Sequence, residues 1–391
     1  MRRKFSHVNN KDKPLITAMF SLLGFGLLMI ANSTVITSKN LYNDPYRFVF
    51  LQLGWVSIGL ICFYIFYKID YRRLEKLSRS LFLVTLFLLS FLALVSFMPC
   101  TTSFGFAPCV NGANRWLFLN PKPLPPIPFL GVAGFQPGEL AKLSIILYLS
   151  AQLSRILKKE KTKERDSKLF KFYVLISGVL STLIILQPNM STAAIVFALG
   201  TVVYFASGAP LKPILVAVPV IVALAVAVIL TSPYRKARLM SLMSGDSSEE
   251  SSYHVKQALV ALGSGGVAGV GFGQSKQKYQ YLPEVASDSI FAIIGEEFGF
   301  IGTSVVVLAY SFLVYRGFMV ARKSEDMFGK LVAVGIGSWL GIQFFVNVAA
   351  MTKIIPLTGV PIPLISYGGS SMVFSLMGLG ILANISENAQ L

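Results

Sequence analysis

Four carboxylates crowd the stretch YLPEVASDSIFAIIGEEFGFIG (281–302): Glu284 and Asp288 stand just before an apolar run, and Glu296 and Glu297 fall inside it. An acid at the edge of an apolar segment can take a proton from a group arriving out of water, and partial desolvation raises its pKa toward the range where a base is effective. Asp288 is the candidate general base, and Glu284 a helix cap or metal neighbour. Glu296 and Glu297 read either as an ion relay or as polar packing against Gln343 or Asn347 of another span.

Cations accompany these acids. FQPGELAKL places Glu139 and Lys142 at i, i+3 on one helix face, as cavity-lining groups or as a structural ion pair. NGANRW supplies Asn114, Arg115 and Trp116. Lys276 and Lys278 follow a run of glycines from Gly263 to Gly273, which permits close backbone approach or an anion nest but does not fit a nucleotide-binding loop. With Arg235, Lys236 and Arg238 they form either a solvated basic loop or a surface for an anionic partner. The segment PLTGVPIPLISYGGSS (356–371), which carries Ser366 and Tyr367, reads as the rigid wall or lid of a cavity. There are two histidines, without metal-ligand spacing, and no GxSxG motif or Cys–His pair, so an enzyme built from this chain uses a carboxylate as its acid or base.

Membrane helices must hold these groups. Of 391 residues, 54% are hydrophobic and 14% charged, and the mean hydropathy is +0.65, which excludes an ordinary soluble domain. The net charge of +17 comes with no nucleic-acid motif and reports orientation instead. The expected fold class is an all-α polytopic membrane protein, one integral membrane domain over 1–391. About ten transmembrane helices begin near Leu15, Phe48, Ser78, Glu139, Phe170, Thr192, Leu211, Ser289, Leu331 and Ser370. QPNMST (187–192) must be a tight hairpin. The first apolar segment follows MRRKFSHVNNKDKP directly and is read as retained. Lysine and arginine cluster at the amino terminus, at 68–79, in KKEKTKERDSK (158–168) and at 316–330, which predicts both termini in the cytoplasm and two large outer loops, about 99–138 and 231–288. Within the second, Val255–Leu262 reads as an amphipathic surface or re-entrant helix and SGDSSEESS (244–252) as a flexible segment. Cys100 and Cys109 share the first loop as a disulfide or as two free thiols, and Cys62 reads as packing.

In order along the chain, GANRWL, FQPGELAKL, LQPNMSTA, the whole of ALGSGGVAGVGFGQSKQKYQYLPEVASDSIFAIIGEEFGFIG and IPLTGVPIPLISYGGSSM resemble the SEDS family of cell-wall polymerases (shape, elongation, division, sporulation), which includes FtsW and RodA. GFGQSKQK and the ending LGILANIS resemble the FtsW branch more closely. The resemblance implies a peptidoglycan glycosyltransferase, active in cell division or shape maintenance. It would polymerise lipid II, an undecaprenyl-diphosphate-linked disaccharide peptide, at the outer face of the bacterial cytoplasmic membrane, with a class B penicillin-binding protein as transpeptidase partner. It places the family's essential acid on Asp288, its arginine–tryptophan element on Arg115 and Trp116, and its glutamate and lysine on Glu139 and Lys142. Three departures stand out: Asn189 where the family commonly has aspartate, ASDS (286–289) where HTDF is common, and Lys353 where glycine is usual.

Such a transfer needs an apolar groove, cations for the departing diphosphate and a base for the attacking hydroxyl. Arg115, Lys142, Lys276 and Lys278 are the cation candidates, joined by a divalent cation (Mg or Mn) shared with Glu139 or Asp288, and no organic cofactor is expected. One base without a nucleophile–acid pair points to inversion at the anomeric carbon. Two alternatives use the same polar groups: a flippase for lipid II, which needs no base, and a secondary transporter, which would use Glu296, Glu297 and Lys142 as its relay, although no internal repeat is visible.

Overall fold

The computed structural model describes residues 12–389 apart from 101–104, 111, 121–123, 125–126, 128–129, 160–161, 211, 214, 217–218, 220–222, 224–249 and 280. Among the described residues there are ten helices: α1 (Lys13–Tyr42), α2 (Arg47–Lys68), α3 (Tyr71–Val95), α4 (Pro137–Lys159), α5 (Thr162–Leu186), α6 (Met190–Ala206), α7 (Glu250–Gly265), α8 (Ile290–Lys323), α9 (Met327–Met351) and α10 (Gly369–Asn388). Eight of them are long and apolar enough to cross a membrane, and α6 is a shorter apolar helix. Helices satisfy their own backbone polar groups, which is why apolar runs of this length fold this way in lipid.

Side chains close the helix ends where the sequence supplies them. Asp12 accepts from the Leu15 amide, Asp70 from Arg72, Asn189 from Thr192 and Asp326 from Gly329. α4, α9 and α10 are the most buried of the long helices, and α2 and α3 turn Ile61, Tyr64, Phe87 and Leu94 outward. α2 packs along α10, and α8 along α9 and α7.

Several expected boundaries move. The third span begins at Tyr71, not Ser78, because YRRLEKL, though charged, is good helix-forming sequence and continues the span beyond its apolar part. The fifth begins at Thr162, inside the charged run expected as a loop, for the same reason. Glu250–Ser252, expected as flexible, open α7, which extends the amphipathic segment at both ends. The span expected from Leu211 lies largely outside the described residues, as do Arg235, Lys236 and Arg238. α5 and α6 are joined by only Gln187–Asn189, the tight hairpin. In the first outer loop Cys100 and Cys109 are bridged, with Cα atoms 5.4 Å apart, and a short antiparallel pair, β1 (Leu117–Phe118) and β2 (Gly134–Phe135), leads into α4.

α8 is not one continuous rod. Gly299 has φ +65° and ψ −161°, which interrupts the helix after Phe298. The glycine-rich strap that follows α7 fills the gap: the amides of Val270 and Gly271 donate to the carbonyls of Glu296 and Glu297, and the amides of Phe300 and Ile301 donate to Gly266 and Val267. The approach leaves no room for side chains, since a Cβ on Gly269 would stand 2.2 Å from the Glu297 carbonyl oxygen. The glycines thus serve close backbone contact, and in the described chain those amides are spent on α8 instead of forming an anion nest.

Candidate active site

Three helix starts meet at one end of the bundle: α4 at Pro137, α8 at Ile290 and α10 at Gly369. Their proximity is visible in the bonds between them. The Gln136 amide donates to Ser370 Oγ, which donates to the Gly134 carbonyl, and the Tyr367 amide donates to Ala286. Helix amino termini carry partial positive charge, so this end favours anions.

Asp288 is buried in the turn that opens α8. The turn pivots on Glu284, at φ +49°, whose carbonyl accepts from the amides of Ser287 and Ser289. The exposed Glu284 carboxylate accepts from Ser287 Oγ at 2.8 Å. Oδ1 of Asp288 lies 3.4 Å from the same hydroxyl, and Oδ2 faces Gly359, where an added Cβ would come within 3.7 Å. Asn347 on α9 fixes this turn to the wall opposite: its amide nitrogen donates to the carbonyls of Asp288 (2.7 Å) and Val360 (2.8 Å), and its Oδ1 is buried without a partner.

One helical turn earlier on α9, Gln343 holds the cation. Lys142 is fully buried, 2.6 Å from Glu139 and 2.7 Å from Gln343 Oε1, with the Trp339 ring 5.6 Å from Nζ. Trp339 Nε1 donates to the same Oε1, and Gln343 Nε2 donates to the Pro361 carbonyl and Ser371 Oγ. The amide is thereby used on both sides. Glu139 Oε2 is buried and has no hydrogen-bond partner.

Arg115 is partly buried and reaches the Gln187 and Pro188 carbonyls of the α5–α6 hairpin, so it braces that hairpin. Trp116 is partly buried in the same loop. Ser366 accepts from the Ile362 amide, and its carbonyl accepts from Gln52 of α2, whose other amide atom accepts from Gly368. Tyr367 packs edge-on to Phe48, and burial, with Tyr42 adding to it and Arg47 opposing, pushes its phenol up to about 12.

The remaining lysines lie elsewhere. Lys278 is buried, and its ammonium is used by Asn32 Oδ1 (2.8 Å), the Gly273 carbonyl (2.7 Å) and Glu297 (3.1 Å). Lys276 exposes its side chain, while its amide donates to Glu296 at 2.9 Å. Glu296 also accepts from Ser275 and Gln277, and Glu297 from the Ser275 amide and Asn32. The expected packing of these glutamates against Gln343 or Asn347 is therefore corrected: both acids bind the strap, Glu297 also binds Asn32 of α1, and the two amides are taken by Lys142 and by the Asp288 turn. Sequence reasoning named Gln343 and Asn347 only in that connection and passed over Gln52 and Asn32. Their signal was present as isolated amides in apolar helices, with Gln343 and Asn347 at i, i+4 on one face.

The Cell cycle protein family model FTSW_RODA_SPOVE matches residues 13–391. The chain belongs to this family. The probable peptidoglycan glycosyltransferase FtsW of Geobacter sp. (strain M18) is 34% identical over 384 residues, covering 97% of each chain. That of Bacillus subtilis (strain 168) is 36% identical over 391 residues, covering 96% of this chain and 90% of the relative. Stage V sporulation protein E of the same bacterium is 32% identical over 379 residues, covering 96% and 97%. Among solved structures, the rod shape determining protein RodA of Thermus thermophilus superposes with a TM-score of 0.68 at 24% identity, covering 97% and 98%. One chain of a peptidoglycan synthase complex reaches 0.75 at 23% identity, with the same coverage. These two share the fold. Two of these three relatives are FtsW proteins, consistent with the FtsW-like branch.

Family membership gives the departures a structural meaning. Asn189 keeps the capping function that an aspartate would have at the start of α6. Lys353 has φ +60°, the left-handed region, where a glycine of the kind the resemblance implies would sit without strain. Ser289 hydrogen-bonds to His254 of α7.

Proposed function

We propose that the chain is an FtsW-like peptidoglycan glycosyltransferase of the cytoplasmic membrane that polymerises lipid II with Asp288 as general base. The observation that carries this reading is the spacing of two amides on α9. Gln343 holds Lys142 and Asn347 holds the Asp288 turn, and their separation of four residues sets the two holders about 6 Å apart along the helix. A cation for a departing diphosphate and an acceptor for an incoming hydroxyl are thus fixed to one rigid element, with three helix amino termini around them.

In the reaction, a sugar hydroxyl of one lipid-linked molecule attacks the anomeric carbon of another. Asp288 takes the hydroxyl proton, the new glycosidic bond forms as the bond to the diphosphate breaks, and the configuration inverts. Lys142 and the helix amino termini neutralise the diphosphate as it leaves. Arg115 and Trp116 shape the wall through the α5–α6 hairpin, Ser366 and Tyr367 belong to the 356–371 loop, and Lys276, exposed on the strap apart from the reacting groups, is left to meet anionic groups of the substrate outside the transfer step. Glu284 keeps the Asp288 turn in shape. Lys278, saturated by Glu297 and Asn32, contributes by holding that strap.

Among the described residues no three His, Cys, Asp or Glu side chains form a metal cluster. The unpartnered buried oxygen of Glu139 nevertheless suits a hard cation such as Mg or Mn, which this carboxylate would hold. A cation there would add charge neutralisation for the leaving group. The reading also places both termini in the cytoplasm, the site at the outer face, and a class B penicillin-binding protein beside the chain as transpeptidase.

The test is lipid II binding and glycan polymerisation measured on the same Asp288→Asn preparation. Binding should persist while polymer formation falls by at least about 10²-fold. Substantial polymer from this variant would remove the base assignment, whereas loss of lipid II binding together with function would favour a lipid II flippase.

A further inference from the structure

α7 lies outside the candidate spans, yet it reaches the residue next to Asp288. His254, buried on α7, places Nε2 2.5 Å from Oγ of Ser289. That hydroxyl also lies 2.8 Å from the Pro283 carbonyl. A serine hydroxyl has one hydrogen, and a carbonyl can only accept. The hydrogen therefore points at Pro283, and Nε2 must carry the hydrogen shared with Ser289. The neutral Nε2–H tautomer and the imidazolium both meet this requirement, so the bond survives titration of the ring.

Ser289 occupies the amino-terminal cap of α8, where a serine ordinarily turns its hydroxyl back onto the first free amides of the helix. Here its side chain makes no capping bond. The hydroxyl is diverted to Pro283 and His254, which ties three points together: the start of the 283–289 turn, its end, and a helix that is separate in sequence. The turn carries Asp288, whose carbonyl Asn347 holds from the other side.

We propose that His254 is a positioning residue for Asp288, acting through Ser289 as a permanent hydrogen-bond donor and not as an acid or base. The proposal rests on Asp288 being the base. Once the link is cut, Ser289 can turn to cap α8 and the turn is freed on one side. A displacement of an ångström at a reacting group costs as much as about 10² in rate.

Steady-state polymerisation of lipid II by the full chain, in complex with its transpeptidase where that is required for turnover, tests this. His254→Ala and Ser289→Ala should each lower kcat by about 10- to 100-fold with KM changed by less than about threefold. The double variant should be no worse than either single one, as for two halves of one interaction. His254→Gln keeps a donor and cannot titrate, so it should recover kcat to within about threefold of the parent, with an unchanged pH profile between about 5 and 8. Ser289→Ala decides the matter if His254→Ala does not fold, because it removes only a hydroxyl. Full kcat in Ser289→Ala, losses that multiply in the double variant, or a glutamine variant as slow as the alanine one overturns the proposal. Asp288→Asn run in parallel separates the two levels: activity in that variant defeats the base assignment, whereas an inactive Asp288→Asn beside an unaffected Ser289→Ala defeats only the role of His254.

Discussion

Among the described residues two buried lysine–glutamate pairs are built differently. Lys278 and Glu297 come from distant parts of the sequence and close a saturated knot: three acceptors surround the ammonium, and the carboxylate takes donors from Ser275 and Asn32 as well. Glu139 and Lys142 come from one turn of α4, and the pair is left open, with one glutamate oxygen unpartnered and an aromatic ring beside the ammonium. Burying a charge is costly, and a saturated pair recovers that cost by fastening structure. An open pair keeps capacity for a further ligand. The knot is accordingly assigned to holding the strap against α8, and the open pair to the chemistry.

Exchanging the lysines is the strongest way to break this comparison. Lys142→Met should lose at least about 10²-fold in polymerisation while the protein still folds and reaches the membrane, with a lowered melting midpoint because buried Glu139 loses its partner. Lys278→Met likewise leaves a buried charge, on Glu297, and should destabilise the fold by about 3–5 kcal/mol, read as a lowered melting midpoint, while the folded protein keeps most of its turnover. Equal effects of the two on the turnover of folded protein would erase the distinction. A smaller effect belongs to Gly299→Ala: the left-handed φ and a Cβ 2.4 Å from the Gly269 nitrogen should cost about 1–3 kcal/mol and free the strap to hydrogen exchange. Gln343→Leu should lower kcat by about tenfold and leave lipid II affinity nearly constant, because it releases Lys142 without removing its charge. The smallest effect concerns Tyr367. Its phenol is held up to about 12, above the ordinary value near 10, so the folded state binds its proton more tightly. That contribution is present below pH of about 10 and is lost as the pH climbs toward 12. Tyr367→Phe should therefore flatten part of the fall in melting temperature between those values.

Hydropathy revealed the spans because apolar length is what a bilayer selects, and ordered motifs located Asp288, Glu139, Lys142 and Arg115. It could not tell which lysine meets which acid. Lys142 and Glu139 are three residues apart and legible as a pair, whereas Lys278 and Glu297 meet only because the strap folds back on α8. The helix break at Gly299 was hidden for a similar reason: the apolar run continues through it, and the partner carbonyls lie some thirty residues upstream. The charged starts of α3 and α5 read as loops in sequence because the bilayer scale penalises lysine and arginine, although both residues are good helix formers.

The interruption of α8 also bears on how the chain is inserted during synthesis. Uninterrupted, the 34 residues would form a rod of about 51 Å, well beyond a hydrocarbon core of about 30 Å. From Phe300 to Lys323 the remaining part, about 36 Å, suffices by itself, and it is the part that turns Ile301, Val305 and Leu308 outward. Residues 290–297 are instead wrapped by protein on all sides. The stretch after Gly299 is therefore long enough to span on its own, and insertion does not require the head that carries Glu296 and Glu297, which the strap encloses in the folded chain. Two acids that would burden a membrane span are thus never asked to enter the hydrocarbon.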